Sequence, residues 1–378
     1  MIDKKNIVIL FGADSSLEWG RSYQMSLALN ELGHEVLHVD LPMPCIDTIF
    51  FLFSNKKKIK PFTFLPKFGL PYTLSKLLEW INKKIVGYQV LHSIKQNFKQ
   101  IDVLWIYSPY QPSIAKMLIQ RFDPVRVIYD CADDRVAMAC QNEGVAQGKT
   151  VLQLESQLTK LCDQVFAVSE NLREVKGGFH NKINVVPNGV NEKLFSTQTN
   201  TSEPLEYSNL TGKKILYVGS MECWVDMELL ILCAKRLPDH SFILVGPVKD
   251  NTLQIYSLSN VYVLGQKKFK SIPNYIYYSD ICIIPFTQTD SLKSSNTLKA
   301  LQYISMGKPV LSTYYQGIDT YNGLVKVAKN RNDFVKKLEI MTDKVLTIDK
   351  EEVNAVVSRN SWNCRATQAM DLLFGSSD

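Results

Sequence analysis

The stretch that most constrains the fold of this chain is residues 279–310, which predicts a buried strand, a polar loop, a short helix and a second strand. Residues 281–286 form an apolar run of strand length. After the loop, apolar residues recur at helical spacing from Leu298 to Ile304, and Gly307 is a helix stop signal. A strand–helix–strand succession of this kind is typical of α/β domains.

Lys299 is unusual for its position, because it falls in the first turn of this helix, shortly after the predicted N-cap Asn296. The helix dipole and the free N–H groups at a helix N-terminus favour an anion and disfavour a cation. A lysine is explained there if an anion, usually phosphate, lies between it and the helix end. A solvated surface lysine is the alternative interpretation.

The composition indicates an ordinary folded protein of about two domains. The chain has 378 residues, of which 46% are hydrophobic and 21% charged. No run approaches the ~20 apolar residues of a membrane span, and no signal peptide is visible. The eight cysteines include no C-x-x-C pair, and no H-E-x-x-H motif occurs. We therefore expect reduced thiols in a cytosolic protein, with no metal site and no cofactor.

Positive charge is concentrated in residues 55–100, which contain ten lysines and one acidic residue, Glu79, in a chain of net charge +6. Aromatic residues such as Phe62, Phe64 and Trp80 lie among the lysines. This mixture suits docking on an anionic membrane face. A solvated lysine face over core aromatics is the alternative. Nucleic acid is not expected as a partner, since the segment has no arginine and no recognisable nucleic-acid motif.

The start of the chain predicts a βαβ unit, with strands at 7–11 and 34–39 around a helix whose apolar residues at 25–32 keep helical spacing. The G-x-G-x-x-G fingerprint of dinucleotide binders is missing, because Gly12 and Gly20 are too far apart. This argues against a nicotinamide or flavin enzyme.

The same alternation of strands and helices continues along the rest of the chain. Further strands are predicted at 102–107, 125–129, 165–168, 183–186, 215–218, 241–245 and 260–264, and further helices at 111–120, 149–161 and 361–374. A polar stretch at 191–213, rich in Ser, Thr, Asn and Glu, separates two such series and predicts a linker.

Three carboxylates, Asp130, Asp133 and Asp134, follow the predicted strand at 125–129. Open α/β sheets place their ligands at the carboxyl ends of strands. A carboxylate there could accept a proton from a substrate hydroxyl or balance developing positive charge. Asp133 is the first catalytic candidate and Asp130 the second. The alternative is that Asp133 or Asp134 only caps the following helix.

Three motifs resemble one family of enzymes. The run at 296–310, N-x-x-K-x-x-Q-Y-x-x-x-G-K-P-V, resembles the donor-site helix of nucleotide-sugar glycosyltransferases with the GT-B fold. The W-G-R-x-x-Q motif at 19–24 is similar to the opening of a bacterial subgroup that includes teichuronic-acid and cell-surface polysaccharide enzymes. The P-N-G-V motif at 187–190 resembles the hinge by which such enzymes leave their first domain. The resemblance implies two Rossmann-like domains facing each other across a cleft, with a C-terminal helix crossing back to the first domain.

The resemblance also implies which residues bind the substrates. Lys299 would meet the diphosphate, while Gln302 stands where relatives typically have a ribose-binding glutamate; Ser294 and Ala132 replace another glutamate and a histidine. The alternative interpretation of Trp224 is that it only packs in the core. The alternative interpretation of Arg21 is that it is a surface residue. The candidate donor-binding residues are Gly219, Trp224, Asp226, Gly246, Gln266, Lys293, Asn296, Thr297, Leu298, Lys299 and Gln302. The candidates on the acceptor side are Gly12, Trp19, Arg21, Gln24 and Asp134.

The sequence thus predicts a metal-independent hexosyltransferase that moves a sugar from a UDP- or GDP-linked donor to a hydroxyl of a cell-surface glycan or lipid-linked acceptor. A cytoplasmic location is expected, with a peripheral position at the inner face of the cell membrane. The predicted domains are an acceptor-binding domain at 1–190 with a basic and aromatic insertion at about 43–100, a linker at 191–213, a nucleotide-sugar domain at 214–350 and a returning C-terminal helix at 351–378. A nucleotide-sugar epimerase of the same fold and a non-catalytic sugar-nucleotide-binding relative are the alternatives.

Overall fold

The computed structural model of the chain consists of two compact α/β units. It describes residues 3–12, 18–40, 43–44, 58–59, 62–63, 72–178, 180, 182–197, 202–248, 253–287, 298–321, 323–344 and 346–375. The first unit comprises residues 1–187 and 365–378, and the second comprises residues 188–364.

The first unit is built on a seven-stranded sheet whose described strand pairs are all parallel. Its strands are β1 (Asn6–Gly12), β2 (Glu35–Asp40), β4 (Lys58–Ile59), β6 (Val103–Ile106), β7 (Arg126–Cys131), β8 (Gln164–Ala167) and β9 (Ile183–Val185), in the order β4-β2-β1-β6-β7-β8-β9. A separate parallel pair joins β3 (Met43–Pro44) to β5 (Phe62–Thr63). The central strands are apolar and buried, as expected where helices cover both faces of a parallel sheet.

In the described part of the first unit, six helices lie between the strands, and a seventh returns from the end of the chain. They are α1 (Arg21–Glu31), α2 (Tyr72–Asn97), α3 (Pro112–Phe122), α4 (Arg135–Glu143), α5 (Val145–Thr159) and α6 (Glu170–Lys176), followed much later by α12 (Trp362–Phe374). From Arg365 onward, α12 belongs to the first unit, where the Gln368 side chain donates to the Val185 carbonyl at 3.0 Å. The predicted return of the final helix is therefore confirmed.

The second unit repeats this plan, and its described residues form six parallel strands. These are β10 (Lys214–Val218), β11 (Ser241–Val245), β12 (Val261–Gly265), β13 (Ile281–Ile284), β14 (Val310–Thr313) and β15 (Val325–Ala328), in the order β12-β11-β10-β13-β14-β15. Its helices are α7 (Met227–Arg236), α8 (Ile272–Tyr277), α9 (Leu298–Ser305), α10 (Arg331–Asp343) and α11 (Lys350–Arg359), with 3-10 turns at Leu205–Tyr207, Leu253–Ser257, Phe269–Ser271 and Ile318–Tyr321.

The stretch at 279–310 forms the predicted strand, helix and strand. Helix α9 buries Leu301 and Ile304, which keep the helical spacing noted in the sequence. Residues 191–213, predicted as a linker, carry two aromatic residues, Phe195 and Tyr207, that are buried in the core of the second unit. The predicted α/β class with two Rossmann-like units is confirmed. Within the described part of the chain, the helices are all too short or too polar to cross a membrane.

Candidate active site

Two glycines at the carboxyl edge of the second sheet let its loops pack unusually closely. Gly219 follows β10 and Gly246 follows β11, each with a φ of 146°, a conformation that disfavours any residue with a Cβ. A Cβ on Gly246 would lie 2.1 Å from the Gly219 carbonyl oxygen. A Cβ on Gly219 would lie 2.3 Å from Cε of Lys299. The lysine side chain therefore rests directly against the backbone of the loop after β10.

Lys299 is a partly buried cation on the first turn of α9. Its ammonium lies 5.8 Å from the ring centroid of Tyr217 and 5.2 Å from that of Phe286. Among the described residues, none offers Lys299 a carboxylate within ion-pair distance, and burial lowers the pKa of its ammonium from 10.5 to about 8. The alternative of a freely solvated surface lysine does not fit this environment.

Two buried tyrosines fix the loop on which Lys299 rests. The Tyr303 hydroxyl accepts a hydrogen bond from the Val218 N–H at 2.8 Å, and the Tyr217 hydroxyl donates to the Ser220 carbonyl at 3.0 Å. Sequence reasoning did not assign either tyrosine. A signal existed for Tyr303, which lies four residues after Lys299 and so shares its helix face.

Asp226, a donor-binding candidate, has structural contacts on both carboxylate oxygens. Its Oδ1 accepts from the Leu229 N–H at 2.9 Å, which caps α7. Arg331 binds both oxygens, at 2.7 Å and 2.8 Å. This fork-shaped contact comes from a residue far away in sequence, so no local pattern could have revealed it.

The other described donor candidates are spread over the same edge of the sheet. Trp224 is partly buried against the core of the second unit, and Gln266 is exposed after β12. Gln302 is partly buried one turn after Lys299, and Leu298 begins α9. Three further candidates lie outside the described residues: Lys293, Asn296 and Thr297.

In the first unit, Asp130 is buried at the carboxyl end of β7 and holds Arg21. The Arg21 Nε lies 3.0 Å and 3.2 Å from the two Asp130 oxygens, and its Nη2 donates to the Val186 carbonyl at 2.8 Å. Trp105 also donates to Asp130, at 3.0 Å. Arg21 is thus a buried partner of Asp130, and its alternative as a surface residue is wrong.

The next two carboxylates differ in their surroundings. Asp134 caps α4 by accepting from the Ala137 N–H at 3.2 Å, and it pairs with buried Lys176 at 3.0 Å. Asp133 is exposed over 44% of its side chain and has a surface ion pair with Arg135 at 3.1 Å. The capping role therefore belongs to Asp134, while Asp133 is the more accessible carboxylate.

The remaining acceptor-side candidates lie around the end of β1. A Cβ on Gly12 would approach the Ser22 hydroxyl to 2.5 Å and His38 Nε2 to 2.6 Å, so only glycine fits there. Gln24 is buried and donates to the Glu18 carbonyl, whereas Trp19 is half-exposed. His38 was not among the sequence-based candidates, although it belongs to a predicted strand.

Comparisons with known proteins agree with this architecture. Residues 212–343 match the family model described as glycosyl transferases group 1. Over 284 residues the chain is 24% identical to "Putative teichuronic acid biosynthesis glycosyltransferase TuaH" of Bacillus subtilis (strain 168), an alignment that covers 71% of this chain and 70% of the relative.

Solved structures with similar folds cover nearly the whole chain. A sucrose-phosphate synthase from Thermosynechococcus elongatus superposes with a TM-score of 0.71 at 17% identity, covering 98% of each chain. A glycosyltransferase from Rickettsia africae gives 0.65 at 16% identity, also covering 98% of each chain. The catalytic domain of starch synthase IV from Arabidopsis thaliana, bound to ADP and acarbose, gives 0.64 at 13% identity and covers 98% of this chain and 99% of its own.

The fold is that of the GT-B glycosyltransferases, as the resemblance implied. The chain is an enzyme, a glycosyltransferase, and residues 212–343 of its second unit match the group 1 model. The matched family model and the relative found by sequence are both described as glycosyltransferases, which favours glycosyl transfer over the epimerase and non-catalytic alternatives.

Proposed function

We propose that this enzyme moves a hexosyl group from a UDP- or GDP-linked sugar to a hydroxyl of a cell-surface glycan or lipid-linked acceptor. The observation that carries the donor assignment is Lys299, a partly buried cation that packs on two aromatic rings and against Gly219. A buried ammonium without a carboxylate partner is costly unless an anion binds beside it. A diphosphate is an anion with the charge and oxygen acceptors to fill that role.

In the proposed reaction, the positive charge of Lys299 lies beside the diphosphate leaving group. The acceptor oxygen forms a bond to the anomeric carbon while the bond from that carbon to the diphosphate oxygen breaks. Negative charge then grows on the diphosphate, and a preorganised cation stabilises it without reorganisation. Because Lys299 supplies this charge, we propose that no metal is required.

We propose Asp133 as the group that accepts the proton of the attacking hydroxyl. Its carboxylate is exposed after β7, whereas Asp130 and Asp134 hold buried cations. A carboxylate that accepts a proton from the nucleophile as it attacks contributes typically 10²–10⁴-fold in rate.

The acceptor class is proposed from the relative. The name of TuaH refers to teichuronic acid biosynthesis. A related envelope glycan or its lipid-linked precursor would place this enzyme in the cytoplasm, peripheral at the inner face of the cell membrane.

A thermal-shift screen over nucleotides and nucleotide sugars tests the donor site, because a ligand that binds the native state raises the melting temperature by mass action. We expect a UDP- or GDP-linked sugar to raise it in the native enzyme and not in Lys299→Met. Lys336→Met, an exposed lysine on α10, is the matched control and should retain the shift. An equal shift in Lys299→Met would contradict the proposal.

A further inference from the structure

Helix α2 presents a continuous exposed row of aromatic and basic side chains, which we call the basic–aromatic stripe. Trp80 and Tyr88 are 58% and 69% exposed, unusually high values for such large side chains. The stripe consists of Trp80, Lys84, Tyr88, His92 and Lys95, all exposed and spaced by three or four residues. This spacing places them on one side of the helix.

The opposite side of α2 anchors the helix to the first unit. Val86, Val90 and Ile94 are fully or almost fully buried in its core. Gly87, also buried, lies beside Met117 of α3. The helix is therefore held by its apolar side, and the stripe faces away from the core.

The cations of the stripe are available to an external partner. Lys84 lies 5.6 Å from the ring centroid of Trp80, and Tyr88 stacks on His92 with ring centroids 6.1 Å apart. Lys84, Lys95 and the following Lys99 form no ion pair with any carboxylate in the described part of the chain. Residues 72–100 contain five lysines and a single acidic residue, Glu79, so this segment carries a net positive charge.

We propose that the basic–aromatic stripe docks the first unit on an anionic lipid bilayer, with α2 lying along the membrane plane. From Trp80 to Lys95 the stripe extends about 23 Å at 1.5 Å per residue. Tryptophan and tyrosine favour the headgroup region of a membrane, where a ring is buried and its polar end stays wet. Lysines beside them are attracted by anionic lipids. Docking would bring the enzyme to the membrane that contains a lipid-linked acceptor, and in this respect the inference rests on the proposed function.

Vesicle co-sedimentation of the full chain tests this docking without any turnover. We expect binding to vesicles of phosphatidylcholine with 30% phosphatidylglycerol, weakening with added salt, and little binding to phosphatidylcholine alone. Each lysine near such a surface increases the partition coefficient of a protein onto the vesicles about five-fold. Replacing Lys84, Lys95 and Lys99 by alanine should therefore weaken binding about a hundred-fold. Trp80→Ala combined with Tyr88→Ala should weaken it as well.

Matched control variants distinguish binding through the basic–aromatic stripe from an effect of the net charge of the protein. Replacing the exposed residues Lys268, Lys329 and Lys336 by alanine removes the same charge from the second unit and should leave binding nearly unchanged. Tyr256→Ala, with 57% of the side chain exposed, controls for the aromatic change. Absence of binding by the native chain, or equal losses in both lysine triples, would overturn the proposal. Donor binding is measured separately, without vesicles. A negative result in the vesicle experiment would therefore not contradict the proposed donor site.

Discussion

At the scale of single residues, the burial of Lys299, the proposed diphosphate ligand, is unfavourable for folding. Its ammonium has a pKa of about 8 in the folded chain, against 10.5 without burial. Between these values the unfolded state binds more protons, so the contribution of Lys299 to stability improves as pH rises from 8 to 10.5. Below pH 8 the full cost of burying the charge is present, on the order of 3 kcal/mol. We therefore expect Lys299→Met to melt at a higher temperature than the native enzyme at pH 7.

The same pKa makes donor binding sensitive to pH. The proposed contact with a diphosphate requires the protonated ammonium of Lys299, and in the free enzyme this form is lost as pH rises through 8. We expect the affinity for a nucleoside-diphosphate sugar to fall about ten-fold between pH 7 and pH 9. Isothermal titration calorimetry at several pH values measures this affinity. Lys299→Arg should bind with little pH dependence, since a guanidinium stays protonated. A native affinity that is constant over this range would contradict the role of Lys299.

The two catalytic candidates among the carboxylates should respond differently to truncation. Asp130→Ala removes the carboxylate that pairs with the buried Arg21, which should cost about 3–5 kcal/mol of stability. Asp133→Ala removes only an exposed ion pair and should change stability by less than about 1 kcal/mol. If Asp133 accepts the proton, its alanine variant should lose roughly 10²-fold or more in kcat with an unchanged melting curve. Full activity in Asp133→Ala would exclude it as the base.

At the scale of elements, local sequence patterns predicted many of the strands and helices, although not α2, β15, α10 or α11, and they did not predict long-range side-chain pairs. The helix at 298–305 follows from apolar spacing, and the anomalous place of Lys299 follows from the helix dipole. The contact of Arg331 with Asp226 joins residues 105 positions apart, and that of Arg21 with Asp130 joins residues 109 apart. Such pairs depend on tertiary packing, which a propensity or spacing argument does not contain. This is why three candidate site residues, Arg21, Asp130 and Asp226, proved to have structural partners.

The loop between β10 and α7 provides a prediction at this scale. Gly219→Ala would place a methyl group against the Lys299 side chain and require a φ of 146° that alanine resists. We expect it to displace the ammonium and weaken donor binding at least ten-fold in calorimetric titrations. Gly317→Ala is the control, because its φ is also positive at 90° and no atom lies within 4 Å of the added Cβ. If both variants weakened donor binding equally, the loss would come from backbone strain and not from the contact with Lys299.

At the scale of the whole molecule, the chain leaves its first unit, builds the second and returns to the first through α12. The described returning residues, 365–375, are integrated into the first unit. Ala366, Ala369 and Leu373 are buried, and the Leu373 carbonyl accepts from Arg126 at 3.0 Å. A segment more than 350 residues from β1 therefore completes the fold of the unit that contains the amino-terminal strand.

Deleting residues 365–378 should destabilise the first unit and spare the second. The loss of the buried Leu373, two buried alanines and the hydrogen bonds of Arg126 and Gln368 should cost about 3–5 kcal/mol. For a unit of this size the melting temperature should fall by about 10 °C. Differential scanning calorimetry with and without the donor distinguishes the units, because only the transition of the second unit should rise with nucleotide sugar. Deletion of 376–378 alone is the control, since it leaves α12 intact. If the longer deletion melts like the full chain, α12 is not a structural part of the first unit.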